Sequence, residues 1–129
     1  MFGLFRKKTA RPPTPPEEVM IEVAPGSDFS DLSTIELCDQ ALEEGRIEQF
    51  LLIGEEFGGE ATGPNVVLGP KGSVTAKARI DDEIVAAIEA GREVNLTANL
   101  DYGESASRVP ESVRFDLGAL GVRILKLWG

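Results

Sequence analysis

The stretch ALEEGR at residues 41–46 returns as AIEAGR at residues 87–92. Each closes an apolar stripe at helical spacing: Ile35, Cys38, Ala41 and Leu42 before and within the first, Ile84, Ala87 and Ile88 before and within the second. A glycine then supplies the left-handed residue that ends a helix, and an arginine sits near the helix's negative end. Both phrases therefore predict the last turn of a short amphipathic helix that leads into a strand. At the first helix's start, Ser33 with Glu36 predicts a capping box, and Leu32 with Leu37 a hydrophobic staple. Asp81 or Asp82 is expected to cap the second helix, with Glu83 also in its first turn.

The text after each phrase runs in the same order. After the first come IEQFLLI (47–53), Phe57-Gly58, Pro64, VVLG (66–69), the turn Leu68-Gly69-x-x-Gly72 and a strand holding Lys77. After the second come EVNLTANL (93–100), Tyr102-Gly103, Pro110, SVRFDLG (112–118), the turn Leu117-Gly118-x-x-Gly121 and a strand holding Lys126. This predicts an internal duplication of a helix-strand-strand-strand unit over about 33–80 and 81–129.

Period-two alternation supports the strands. Val94, Leu96, Ala98 and Leu100 oppose Glu93, Asn95, Thr97, Asn99 and Asp101; Val74, Ala76, Ala78 and Ile80 oppose Ser73, Thr75, Lys77 and Arg79; Val113, Phe115 and Leu117 oppose Ser112, Arg114 and Asp116. Such alternation marks sheets with one buried and one wetter face, the habit of antiparallel pairing. LGPKGSV and LGALGVR read as hairpin turns. With VMIEV (19–23) as a first strand, the expected fold is α+β: a twisted, mainly antiparallel sheet of about seven strands with two helices on one face. The closing GVRILKLW (121–128) is apolar except for Arg123 and Lys126, which suits a strand buried on both faces or a homodimer contact through it, with Trp128 packed.

The segment NVVLGPKGSVTAKARI (65–80) resembles, locally, one coil of a bactofilin-type polymer, as does the basic, proline-containing start of the chain. The helices and the absence of further six-residue coils argue against that fold, and no function is carried over.

At 129 residues the chain is expected to form one domain, 18–129, behind a disordered basic and proline-rich tail, 1–17. The single cysteine excludes an internal disulfide, fits a reducing compartment, and is expected in the core. Histidine is absent, which removes Ser-His-Asp and Cys-His catalysis and histidine metal ligation. The net charge is −9, yet residues 1–11 hold four bases (Arg6, Lys7, Lys8, Arg11) and no acid, so the rest is more acidic than the whole. An acidic body repels nucleic acid and suits a protein partner with a basic or polar surface. No apolar run is long enough to span a membrane, and only four residues precede the basic cluster, which points to a cytoplasmic protein.

The tail could make a weak peripheral membrane contact through Phe2, Leu4, Phe5, Arg6, Lys7 and Lys8, and PPTPP could serve a proline-recognising domain. Acidic clusters at Glu55, Glu56 and Glu60, at Asp81–Glu83 and at Asp101 and Glu104 are candidate divalent-metal or hydrolytic sites, but no EF-hand spacing is present. GEEFGGEATG lacks the Lys-Ser/Thr ending of a P-loop, and GPKGS is read as preceding a strand, with no helix N-terminus to hold an anion. The polar stripe Asn95, Thr97, Asn99 and Asp101 is the expected recognition surface. The reading is a small acidic, non-catalytic protein-binding module with an inhibitor, immunity-type, chaperone-like or assembly role, with no cofactor or metal. Two alternatives stand beside it: a divalent-metal or carboxylate-dependent enzyme at loops 55–60 and 101–104, and a peripheral membrane adaptor acting through residues 2–8.

Overall fold

The computed structural model describes residues 17–129. The expected tail contact at Phe2, Leu4, Phe5, Arg6, Lys7 and Lys8 lies outside the described residues. Six strands and two helices run in the order β1 (Glu18–Ala24), α1 (Ile35–Glu43), β2 (Ile47–Leu51), β3 (Val66–Pro70), α2 (Ser73–Glu89), β4 (Thr97–Asp101), β5 (Ser112–Asp116) and β6 (Val122–Trp128). The α+β class stands. The strands form two sheets rather than one: a four-stranded sheet ordered β1-β6-β5-β4 and a two-stranded β2-β3 sheet. The larger sheet is mixed, because β1 runs parallel to β6 while β4-β5 and β5-β6 are antiparallel.

The two quoted phrases end two helices in the same way. Gly45 and Gly91 have φ of 74° and 81°, a conformation that favours glycine over any residue with a Cβ. In the first, Arg46 N–H donates to Ala41 C=O and Gly45 N–H to Leu42 C=O; in the second, Arg92 N–H donates to Ala87 C=O and Gly91 N–H to Ile88 C=O. Both are Schellman motifs, which satisfy carbonyls that the helix end would otherwise orphan. The start of α1 differs from expectation by one residue: Thr34, not Ser33, is the N-cap, and its hydroxyl accepts from Leu37 N–H at 3.2 Å. Leu32 is buried, whereas Leu37 is exposed.

The seventh expected strand, 73–80, is the first half of α2. The alternation of Val74, Ala76, Ala78 and Ile80 is a coincidence of composition. The residues that go inside are Ser73, Ala76, Lys77, Ile80, Ile84 and Ala87, spaced by three and four, while Val74 is half exposed. The helix therefore starts before Asp81, Asp82 and Glu83, which lie within it rather than at its cap. A helix-strand-strand-strand unit occurs once, as α2-β4-β5-β6; after α1, β2 and β3 the chain turns into α2, so a duplication of that unit is not seen. The bactofilin-like coil is likewise absent, its second half being helical. LGALGVR does connect the antiparallel pair β5-β6, but LGPKGSV leads from a strand into a helix.

One apolar core holds the layers together. Ile21 of β1, Val113 and Phe115 of β5, and Leu125 and Leu127 of β6 line the sheet's inner face, with Ile80 and Ile84 of α2, Cys38 and Ala41 of α1, and Phe50 and Val67 of the small sheet packed in the same cluster. α2 packs on β1 and β6 and also touches β2, which is how it joins the two sheets. The position of β6 between β1 and β5 accounts for its apolar sequence. Both of its edges are hydrogen-bonded within the sheet, so a homodimer contact through the C-terminal strand would meet its Ile124 and Lys126 face and not an edge. Trp128 is buried, edge-on to Phe29 with ring centroids 6.2 Å apart, and its Nε1–H donates to Val109 C=O.

Candidate binding surface

Among the described residues, the helices and the small sheet leave one face of the large sheet uncovered by any element. Strand alternation and register assign its members. Glu18, Met20 and Glu22 come from β1, Ile124 and Lys126 from β6, Ser112, Arg114 and Asp116 from β5, and Thr97, Asn99 and Asp101 from β4. Asn95 is exposed too, just before β4 and against Gly118. Thus the expected stripe Asn95, Thr97, Asn99 and Asp101 is exposed, its partners Val94, Leu96, Ala98 and Leu100 are half-buried, and three of the four stripe residues lie on a sheet-edge strand.

The surface mixes charge with apolar floor. Glu22 lies beside Lys126, Lys126 beside Ser112 and Ser112 beside Asp101 in register, a row crossing all four strands. Arg114 reaches across β6 to Glu18 at 3.7 Å, an exposed pair. A shallow cavity of 320 Å³ is lined by Met20, Asp101, Glu111, Ser112, Ile124, Lys126 and Trp128, and Met20 is 56% exposed. Asp101 is itself held in place, since its Oδ1 accepts from Gly103 N–H at 2.8 Å.

The acidic loops do not converge. Glu55 and Glu56 line a cleft of 290 Å³ together with Gln49, Gly54, Lys77 and Asp81, whereas Asp101 lines the cavity on the sheet face. Loops 55–60 and 101–104 therefore share neither cavity. In the first cleft Lys77 is 3% exposed and donates to both Asp81 oxygens at 2.8 and 2.9 Å. A Cβ on Gly54 would overlap Glu56 Oε1 and lie 3.3 Å from Asp81 Oδ2, so both carboxylates face one spot. Burial pushes the Asp81 carboxyl above its ordinary 3.8, the Lys77 hydrogen bond and charge pull it down, and Glu56 and Asp82 add repulsion. Sequence reading missed this group because the pairing with Glu56 is non-local and residues 73–80 read as a strand. Among the described residues, no three histidine, cysteine, aspartate or glutamate side chains are grouped to hold a metal ion.

The glycine-rich segments have structural work. The 52–65 connection is tied by Asn65, whose Oδ1 accepts from Ile53 N–H at 2.8 Å and whose Nδ2 donates to the Ile53 and Glu60 carbonyls. GPKGS does open a helix, contrary to expectation, and that N-terminus already holds an anion. Glu48 Oε2 accepts from Gly72 N–H at 3.2 Å and Val74 N–H at 2.7 Å. Cys38 is buried among apolar residues, and burial pushes its thiol up, the opposite of an activated thiolate.

Compared with protein-family models, with curated proteins and with solved structures, the chain gives no match. No helix among the described residues is long and apolar enough to cross a membrane.

Proposed function

We propose that the protein is a small acidic, non-catalytic protein-binding module of the cytoplasm whose contact surface is the uncovered face of the large sheet, along β4. The observation that carries this reading is the exposed row Thr97, Asn99 and Asp101 on a strand whose other side chains anchor in the core. Short donors and acceptors on a fixed strand lose little side-chain entropy on binding, so they suit recognition of polar or basic protein surface. The acidic excess favours a basic partner and disfavours nucleic acid. An inhibitor, immunity-type, chaperone-like or assembly role is compatible with such a surface. The test is affinity capture from source-cell lysate, membranes included, with the full chain and with a chain beginning at Glu17. A basic protein retained by both supports the reading. Retention of a partner or a membrane fraction by the full chain alone would move function to residues 1–16 and the tail-anchor alternative.

One observation favours a second reading, the metal- or carboxylate-dependent site. Glu56 and Asp81 face a common point in a cleft, although Lys77 already neutralises Asp81. A thermal shift with magnesium, calcium or manganese that Glu56→Gln abolishes would support it; equal melting with and without the ions would oppose it.

A further inference from the structure

β4 ends the large sheet, and no strand among the described residues pairs with its outer edge. Its backbone polarity can be assigned. Asp101 C=O accepts from Glu111 N–H and so points toward β5. Successive residues of a strand turn their N–H and C=O groups to alternate sides, so Thr97 and Asn99 also face β5. The N–H and C=O groups of Ala98 and Leu100 therefore point away from the sheet, toward solvent.

Such an edge is usually blunted by proline, lysine, a bulge or an inward charge. Residues 94–100, VNLTANL, contain no proline, lysine or charge, Asp101 at the end of β4 is that strand's single charge, and β4 pairs with β5 in unbroken register. The opposite edge strand, β1, carries Glu18 and Glu22. Half-buried Leu96, Ala98 and Leu100 point to the core side of β4, while α2 packs over β1 and β6 at the far side of the sheet. Apolar surface is thus left at the same edge where backbone groups are unpaired.

We propose that this edge pairs with β4 of a second copy of the chain, antiparallel, about a twofold axis through Asn99, so that two four-stranded sheets join into one of eight strands. The sequence TANLD is self-complementary under that axis. Ala98 falls opposite the partner's Leu100, and these are the residues whose N–H and C=O groups point outward. Both Ala98–Leu100 pairs can then form, with four backbone hydrogen bonds. Asn99 meets the partner's Asn99, and a carboxamide both donates and accepts. The Thr97 hydroxyl meets the carboxylate of the partner's Asp101. No like charges face each other along the paired strand, an arrangement that satisfies cross-strand pairing on both faces. A register shifted by one residue would set inward-facing groups against the free edge and lose the bonds. The net charge of −9 on each copy opposes association. Added salt screens that repulsion, so pairing strengthens with ionic strength, the reverse of binding to a basic partner. The outer side chains of β4 stay open in the dimer, and the proposal does not depend on the binding function above.

The test uses the full chain. Sedimentation equilibrium up to about 200 µM is expected to show a monomer–dimer equilibrium, since an interface below about 1,200 Å² belongs to the weak class. The dimer fraction should rise with added sodium chloride. Asn99→Cys places two thiols at a pair about 4.5 Å apart by Cα, within disulfide reach. It is expected to cross-link under mild oxidation at least about tenfold faster than Asp82→Cys, an exposed position on α2. Buried Cys38 supplies the background. Asn99→Lys should weaken the dimer at least about tenfold with unchanged melting temperature, because two ammonium groups then meet on the axis. A monomer at all salt concentrations overturns the proposal. So does a dimer in which Asn99→Cys cross-links no faster than Asp82→Cys, since that dimer uses another surface.

Discussion

Lys77 carries a charge into a nearly closed space, and among the described residues Asp81 and the face of Phe115, 5.5 Å from its Nζ, compensate it. Removing one member strands the other. Asp81→Asn should cost about 3–5 kcal/mol in urea denaturation, whereas Lys77→Met with Asp81→Leu should be neutral or stabilising. If the double variant lost as much as the single one, the pair would be contributing more than its own compensation. The carboxyl of Asp81 also sets a pH dependence. Its pKa is raised in the folded protein, mainly by burial, so between 3.8 and the raised value the folded chain holds this proton more tightly than the unfolded chain. Its contribution to stability is then greatest at low pH and falls as pH rises through that window. The stability of the double variant relative to wild type should accordingly grow as pH rises above 3.8, and a flat difference would contradict the assignment.

At the scale of elements, the helix ends are the most readable features, and they are testable one at a time. Gly45→Ala and Gly91→Ala each place a Cβ on a left-handed residue and should cost about 1–2 kcal/mol, read from denaturation midpoints. Glu48→Gln should destabilise α2 by about 1 kcal/mol, because the neutral amide accepts less strongly from Gly72 and Val74 and loses its interaction with the helix dipole. A null result at Glu48 would mean that water caps the helix equally well. The glycine-arginine ends were legible because their chemistry is local, and so was the alternation of Val94 to Asp101. Residues 73–80 were not. Two of the six buried positions on α2, Ser73 and Lys77, are polar, and their burial is made tolerable by partners at Pro70 and Asp81. A stripe so diluted no longer outweighs the accidental alternation of Val74, Ala76, Ala78 and Ile80. The capping role of Glu48, which is 24 residues before Gly72, is equally invisible in a local window.

At the scale of the whole molecule, the division into two sheets and the parallel β1-β6 pair come from contacts between the two ends of the chain, which no local pattern encodes. Arg123 shows the same thing. A base in an apolar run gives no local sign of its partners, yet Arg123 is buried, and its Nη2 donates to Glu83 at 3.0 Å and lies 3.3 Å from Glu17, tying β6 to α2 and to the start of β1. The candidate stripe was legible as exposed polar positions, but its place on an uncovered face beside a free edge was not. If that face is the contact surface, substitutions on it weaken binding where substitutions elsewhere do not. The affinity of the captured partner should be compared for wild type, for Thr97→Arg with Asp101→Lys on the β4 face, and for Asp82→Arg on α2, at one salt concentration and with melting curves recorded for all three. A loss of at least about tenfold, or about 1.4 kcal/mol, is expected for the β4-face variant and a much smaller change for Asp82→Arg. Equal affinity of wild type and the β4-face variant would contradict it and place the contact on another surface.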